Sequence, residues 1–243
     1  MRYLIISDIH SNLEALRAVL AEAKGKGFDE IICLGDFVGY GANPDECVKT
    51  ILEQDRFRAV LGNHDSAVID ITQRELFNPV ARAGILYSER VLSQESLDHI
   101  RGLPMTLNSN SGFLAVHSSP YKPEAWVYVV EPLEAADAFH VMTDPLAFIG
   151  HTHFPAIHSD NGSVLPFAAD EHVKVPSEGK IMVNVGSVGQ PRDGDWRAAY
   201  VMYDDETGVI KIHRVEYDVE EAAAKILAAG LPPMLADRLR RGY

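Results

Sequence analysis

Five short apolar runs in this chain each end in side chains able to hold a metal: Ser-Asp-Ile-His at 7–10, Gly-Asp at 35–36, Gly-Asn-His-Asp at 62–65, His117, and Gly-His-Thr-His at 150–153. In an open α/β sheet, ligands bind in the crevice outside the carboxyl ends of the strands. A chain that repeats this pattern is therefore constrained to folds in which those strand ends meet, bringing together Asp8, His10, Asp36, Asn63, His117, His151 and His153. These residues offer oxygen and imidazole but no thiolate, a mixture suited to borderline divalent ions such as Mn, Fe or Zn. The set is too large for one tetrahedral ion and about right for two ions sharing a bridge.

The pattern between these runs supports that reading. A strand at 2–7 precedes a helix at 13–24, whose leucines and alanines recur on one face, with Ser11 or Asn12 as its cap and Gly25 and Gly27 as its end. A strand at 30–34, a glycine-rich loop at 35–41, a helix opening at Pro44 after Asn43, and a strand at 57–61 repeat the alternation. Strand and helix in turn imply right-handed crossovers and a parallel sheet. Residues 66–104 contain no strand-like run and read as a helical insertion beside the site, with one helix from Asn78–Pro79 to Leu92 and another at 94–101. Strands at 105–108 and 112–117, a helix at 132–142 and a strand before His151 follow. The segment 118–131, with Tyr121, Trp126 and Tyr128, shows no period; its aromatics suit stacking on a base or an aryl group, although aromatics in a loop more often cover the core. Runs near 155–158, 163–167, 181–185, 198–204 and 208–215, separated by turn residues, predict antiparallel hairpins. Helices at 218–229 and after Pro232–Pro233 finish the chain. No linker or repeat interrupts residues 1–243, so one domain is expected, an α/β fold with two sheets packed between helices.

Asp8 and His10 stand two apart at a strand end, which predicts side chains pointing the same way, and the same holds for His151 and His153. Taken singly, each motif is also explained by an ordinary polar turn. Their joint occurrence, in order and each at a strand end, resembles the calcineurin-like metallophosphoesterase superfamily. Its motifs AspXxxHis, GlyAspXxxXxxGly, GlyAsnHisAsp, a later lone His and GlyHisXxxHis all stand intact here. The similarity spans 8–153 and extends to Asn-Val-Gly-Ser-Val-Gly-Gln-Pro-Arg at 184–192, which is similar to the tail segment of small bacterial and archaeal phosphodiesterases.

The resemblance implies a four-layer sandwich of two mixed β-sheets flanked by helices. It implies two divalent metal ions, with Mn, Fe, Zn and Ni all compatible: Asp8, His10 and His153 on the first, Asn63, His117 and His151 on the second, and Asp36 bridging. Two ions about 3.5–4 Å apart can hold a hydroxide between them and neutralise phosphoryl oxygens during in-line displacement. His64 would then act on the leaving-group side as general acid or as a stabilising cation, oriented by donating a hydrogen bond to Asp65. Asn12, Tyr40 and Asn43 are candidates for touching substrate, and Arg192 for gripping a phosphate, because guanidinium matches that geometry. The remaining histidines, His99, His140, His158, His172 and His213, lack strand-end partners and read as surface or structural residues.

Bulk properties narrow the function further. With 47% apolar and 23% charged residues, the chain is ordinary for a globular protein. A net charge of −13 argues against a general phosphate-backbone binder, which needs a basic face to gain from counterion release, so binding to duplex nucleic acid is not expected. A small phosphorylated substrate stays compatible, because bound cations can reverse the local field. The two cysteines, Cys33 and Cys47, predict neither a disulfide nor a zinc site. The opening apolar run is too short for a signal sequence or membrane span, so a cytoplasmic location is expected. The favoured function is hydrolysis of a small phosphodiester or phosphomonoester. A non-catalytic scaffold for protein partners is disfavoured because His64 and every ligand survive. Protein phosphatases, with Arg in the Gly-Asp loop and Glu ending the third motif, and the related dinucleoside-polyphosphate hydrolases are disfavoured by Gly-Asp-Phe-Val-Gly-Tyr-Gly and Gly-Asn-His-Asp. A nuclease is disfavoured by the acidic charge. Oligomeric state has no sequence signature here.

Overall fold

The computed structural model describes residues 1–243 and resolves the alternation into two mixed six-stranded sheets. The strands are β1 (Arg2–Ile6), β2 (Glu30–Cys33), β3 (Phe57–Ala59), β4 (Thr106–Ser109), β5 (Phe113–Val116), β6 (Leu146–Ile149), β7 (Ala156–Ser159), β8 (Val164–Pro166), β9 (His172–Lys174), β10 (Ile181–Asn184), β11 (Ala198–Asp204) and β12 (Val209–Val215). The helices are α1 (Leu13–Lys26), α2 (Pro44–Leu52), α3 (Asn63–Ile69), α4 (Ile71–Arg74), α5 (Pro79–Val91), α6 (Gln94–Arg101), α7 (Pro132–Val141), α8 (Val219–Ala228) and α9 (Pro233–Arg241). One sheet runs β3-β2-β1-β11-β12-β9 and the other β4-β5-β6-β10-β7-β8. β1, β2 and β3 are parallel, as the crossover pattern predicts.

Alternation along the strands builds the layers. Tyr3 and Ile5 of β1 point into a core that also holds Phe113, Phe148 and Val183 of the other sheet. Leu4 and Ile6 point the opposite way, onto Leu16 and Val19 of α1 and Leu235 of α9. On the far side, Ala138 and Phe139 of α7 cover Ala147, Ile149 and Met182. Helix, sheet, sheet and helix therefore stack in four layers because the central strands, such as β1, β6 and β10, are apolar on both faces.

Local signals behave as their chemistry requires. Asn12 caps α1 by accepting from the Ala15 N–H at 3.1 Å, and Asn78 caps α5 by accepting from Val80 and Ala81. α1 continues through Gly25 to Lys26 and ends only at Gly27, whose φ of +78° is a left-handed stop. The helical segment expected at 66–104 is built from α3 to α6 and starts earlier, at Asn63, so His64 and Asp65 lie in the first turn of a helix.

Two expectations for the last third need correction. β7–β8 and β11–β12 are antiparallel hairpins, but β10 lies parallel to β6 on one side and antiparallel to β7 on the other. Turn residues mark where a strand ends and carry no information about which neighbour it then pairs with. β9 was not anticipated: its three residues carry no periodic signal, and it forms by pairing with the edge of β12. No helix is long and apolar enough to cross a membrane. Cys33 and Cys47 are buried free thiols.

His213 of β12 is buried against Tyr200, with ring centroids 5.0 Å apart. Burial, followed by the charges of Lys26 and Lys211, pushes it down to about 4, while Glu22 and Asp170 act in the opposite sense. The unfolded chain binds this proton more readily, so the stabilising contribution is present above about 6.5 and is lost as pH falls towards 4. Chemical denaturation of the protein and its His213→Gln variant should therefore show the parent losing stability relative to the variant across that window.

Candidate metal centre

Asp8 and Asp36 sit just beyond β1 and β2, and their loops are laced together. The Asp8 N–H donates to the Gly35 carbonyl at 3.0 Å, the His10 N–H to Asp36 at 2.9 Å and the Ser11 N–H to Phe37 at 2.9 Å. In both aspartates one oxygen is consumed by backbone: Asp8 Oδ2 accepts from the His151 N–H at 3.0 Å and Asp36 Oδ1 from the His64 N–H at 2.8 Å. The other oxygen of each is left for the site, and Asp8 Oδ1 is buried with no hydrogen-bond donor. Gly150 permits this closeness, since a Cβ there would collide with Ser7 and the Asp8 carboxylate.

The histidines are oriented from behind. His10 Nδ1 donates to the Val38 carbonyl at 3.0 Å, His117 Nδ1 to Leu34 at 2.7 Å, His153 Nδ1 to Gln190 at 2.6 Å and His151 Nε2 to Trp126 at 2.9 Å. A carbonyl can only accept, so each outer nitrogen carries the proton and each inner nitrogen presents a lone pair. Burial pushes His10 and His117 down, His64 and His151 further, and His153 to about 3, so the rings are neutral at pH 7.

Two clusters result. In the first, His10 Nε2 and His153 Nε2 are 3.0 Å apart, Asp8 Oδ1 is 3.1 Å from His153 Nε2, and Asp36 Oδ2 is 3.6 Å from His10 Nε2. In the second, His117 Nε2 lies 3.1 Å from His151 Nδ1, 3.0 Å from Asn63 Oδ1 and 3.4 Å from the same Asp36 Oδ2. Imidazole lone pairs converge here, since the ring protons all lie on the outer nitrogens. Burial, and then the charges of Asp65 and Asp8, push the Asp36 carboxyl well above its ordinary range, which a cation would reverse. The donor set thus fits divalent cations.

The expected means of convergence differs from the observed one. The strands end at Ile6 and Ile149, and Asp8, His10, Asp36, His151 and His153 all adopt left-handed backbone, with φ from 48° to 65°. Left-handed turns aim these pairs, where strand alternation was expected. Asp65 also differs: it accepts from the N–H groups of Asp36 at 2.7 Å, Gly62 at 3.2 Å and Val38 at 3.3 Å, and makes no hydrogen bond to His64. Its carboxylate ties the loop carrying Asp36 to the start of α3. Burial raises it to about 7 against these donors.

His64 is buried between the rings of His10, Tyr40 and Phe77, with centroids 4.8, 4.5 and 4.8 Å away, and its Nδ1 has no partner. One of its ring nitrogens lies within 4.8 Å of donor atoms from His10 and Asp36. Gly39, at φ +92°, leaves room for this ring, which a Cβ would strike. Arg192 lies over the Tyr40 ring at 5.6 Å, donates to Tyr40 Oη at 3.3 Å and to Gln190 at 3.1 Å, and forms no ion pair; its Nε is buried without a partner. Asn12 spends both polar groups on the α1 cap and the Gly189 carbonyl, and Asn43 lines a small cavity that it shares with Asn12, His10 and Tyr40. Tyr128, read as core cover, instead stacks on His151 at 4.0 Å. Asn184 was not singled out; its amide bridges Gly150 and Thr152 and so sets the loop bearing His151 and His153. Among the other histidines, His158 and His213 are buried, His99 is half-buried, and His140 and His172 are exposed.

The calcineurin-like phosphoesterase superfamily domain model matches residues 1–208. An uncharacterized protein of Methanocaldococcus jannaschii is 40% identical over 241 residues, covering 98% of this chain and 97% of that protein. A crystal structure of a metallophosphoesterase from Sphaerobacter thermophilus is 38% identical and superimposes with a TM-score of 0.89, over 100% of this chain and 99% of that one. A hypothetical protein of Pyrococcus horikoshii, 20% identical, shares the fold with a TM-score of 0.80 over 100% and 98% of the two chains.

Calorimetric titration of chelator-treated protein with Mn²⁺ should reach about two ions per chain. Asp65→Ala should weaken that binding roughly 10- to 100-fold, as for other groups that orient ligands from behind. Unchanged affinity in that variant would show that Asp65 does not hold the Asp36 loop.

Proposed function

The chain belongs to the calcineurin-like phosphoesterase superfamily, and on that premise we propose that it is a two-metal phosphoesterase acting on a small phosphodiester or phosphomonoester. The observation that carries this reading is Asp36 Oδ2, one oxygen shared between two buried clusters whose inner nitrogens all present lone pairs. Asp8, His10 and His153 would hold one cation, Asn63, His117 and His151 the other, with Asp36 between them. When bound, the pair supplies a water-derived nucleophile at neutral pH and positive charge opposite the phosphoryl oxygens. Mn, Fe, Zn and Ni all suit these donors.

The chain's own residues complete the chemistry. Arg192 carries no counter-ion and has an unpartnered Nε, so it can grip a phosphoryl oxygen; Tyr40 holds its plane in place. His64 is neutral in the resting site, and the negative charge of an arriving phosphoester favours its protonation. It then delivers that proton to the leaving oxygen. Residues 1–243 are read as one domain, with α3 to α6 forming the wall that places Phe77 against His64. The buried free thiols fit a cytoplasmic location. The charge of −13 fits a small substrate better than a nucleic-acid duplex.

Purified protein with Mn²⁺ should hydrolyse p-nitrophenyl esters of phosphate, and absence of turnover with every one of Mn, Ni, Co, Fe and Zn would refute the enzyme reading. His64→Ala should lower kcat about 10²–10⁴-fold on esters of basic alcohols. The loss should be smaller on p-nitrophenyl esters, whose leaving group departs without a proton. An equal loss on both would assign His64 to structure.

A further inference from the structure

We propose that the apolar groove beside the metal centre binds the retained organic group of a phosphodiester, which makes an apolar-substituted diester the substrate class of this site. The inference rests on the phosphoesterase reading above. The groove has a volume of about 570 Å³ and is walled by Tyr128, Val130, Phe154, Pro155, Val164 and Pro166. That size and character match small-molecule sites, which are apolar with a few placed polar groups. Tyr128 and Val130 are each 52% exposed and Phe154 49%, so apolar surface stands uncovered next to the clusters. Thr152 and Arg192 form the end nearest the site. Thr152 lies between His151 and His153 in sequence, and the Tyr128 ring stacks on His151. The groove therefore adjoins His151 of the second cluster.

Its position also selects which ester group it takes. His64 packs against His10 of the first cluster, and its ring neighbours His10, Tyr40 and Phe77 take no part in the groove wall. The departing alcohol leaves towards His64, which is absent from the groove wall, so the groove receives the group that stays on phosphorus, with Arg192 between the two. Hydrolysis joins water oxygen to phosphorus, breaks the bond to the departing alcohol and leaves the groove-bound group as a monoester. A monoester substrate has nothing to place there. The wall is mostly apolar, and Glu131 on it disfavours a second anionic group away from Arg192.

The test compares p-nitrophenyl methyl phosphate with p-nitrophenyl phenyl phosphate, which share a leaving group and differ only in the retained one. With Mn²⁺, kcat/KM for the phenyl diester should exceed that for the methyl diester by roughly tenfold or more, as burial of an added ring predicts. Val130→Asp and Phe154→Ala should each collapse that ratio towards unity. Leu133→Asp, at a residue 81% exposed and off the groove, should keep it. Equal values for the two diesters, a ratio retained in both groove variants, or faster turnover of p-nitrophenyl phosphate than of the phenyl diester would overturn the inference while leaving the phosphoesterase reading intact. No turnover of any of the three esters would overturn both.

Discussion

Four neutral imidazoles and two carboxylates are buried face to face, with their outer groups already satisfied by backbone and their inner lone pairs aimed at one another. Buried polar groups without partners are costly, and lone pairs set 3.0–3.1 Å apart repel as well. Only positive charge placed among them resolves the arrangement. The fold therefore carries a built-in demand for cations, and the surrounding loops are shaped to maintain it against the tendency of such groups to turn away or take up protons.

That maintenance is a backbone task. Left-handed conformations at Asp8, His10, Asp36, His151 and His153 each cost roughly 1–3 kcal/mol in isolation. They persist because the loops are pinned from several directions. Asp65 gathers N–H groups from the loop after β2 and the start of α3, Ser187 donates to the Asp8 carbonyl, and Asn184 holds both Gly150 and Thr152. The same parts belong to both sheets, so packing between the sheets and positioning of the ligands are one event. Loosening either sheet would let the ligands separate.

Electrostatics divide the basic residues by duty. Around the loop at 192–197, Arg197 pairs with Asp195 and Arg214 with Asp193, while Arg192 is held by Tyr40 and Gln190 through neutral hydrogen bonds. In a chain of net charge −13, an arginine without a carboxylate partner beside a cation site keeps its full charge for an anionic substrate. The apolar groove starts at that same side chain, so charge recognition and apolar recognition meet there.

Residue type and strand-end spacing were enough to single out the side chains that the fold brings together in two buried clusters, because metal chemistry restricts which side chains can serve and an α/β sheet restricts where strand ends meet. The apolar runs likewise pointed to the parallel strands β1 to β3 and most of the helices, since those depend on local periodicity, while the four-layer arrangement followed from the family resemblance. Pairing partners did not follow: β10 beside β6 and the short edge strand β9 depend on contacts between segments distant in sequence. Nor did the aim of the side chains, since Asp65 holds the Asp36 loop rather than His64, and Tyr128 stacks on a ligand rather than covering the core. Sequence by itself settled which atoms could bind cations. Tertiary structure alone decided how they face one another, because a left-handed turn or a hydrogen bond from a remote backbone leaves no periodic trace in the chain.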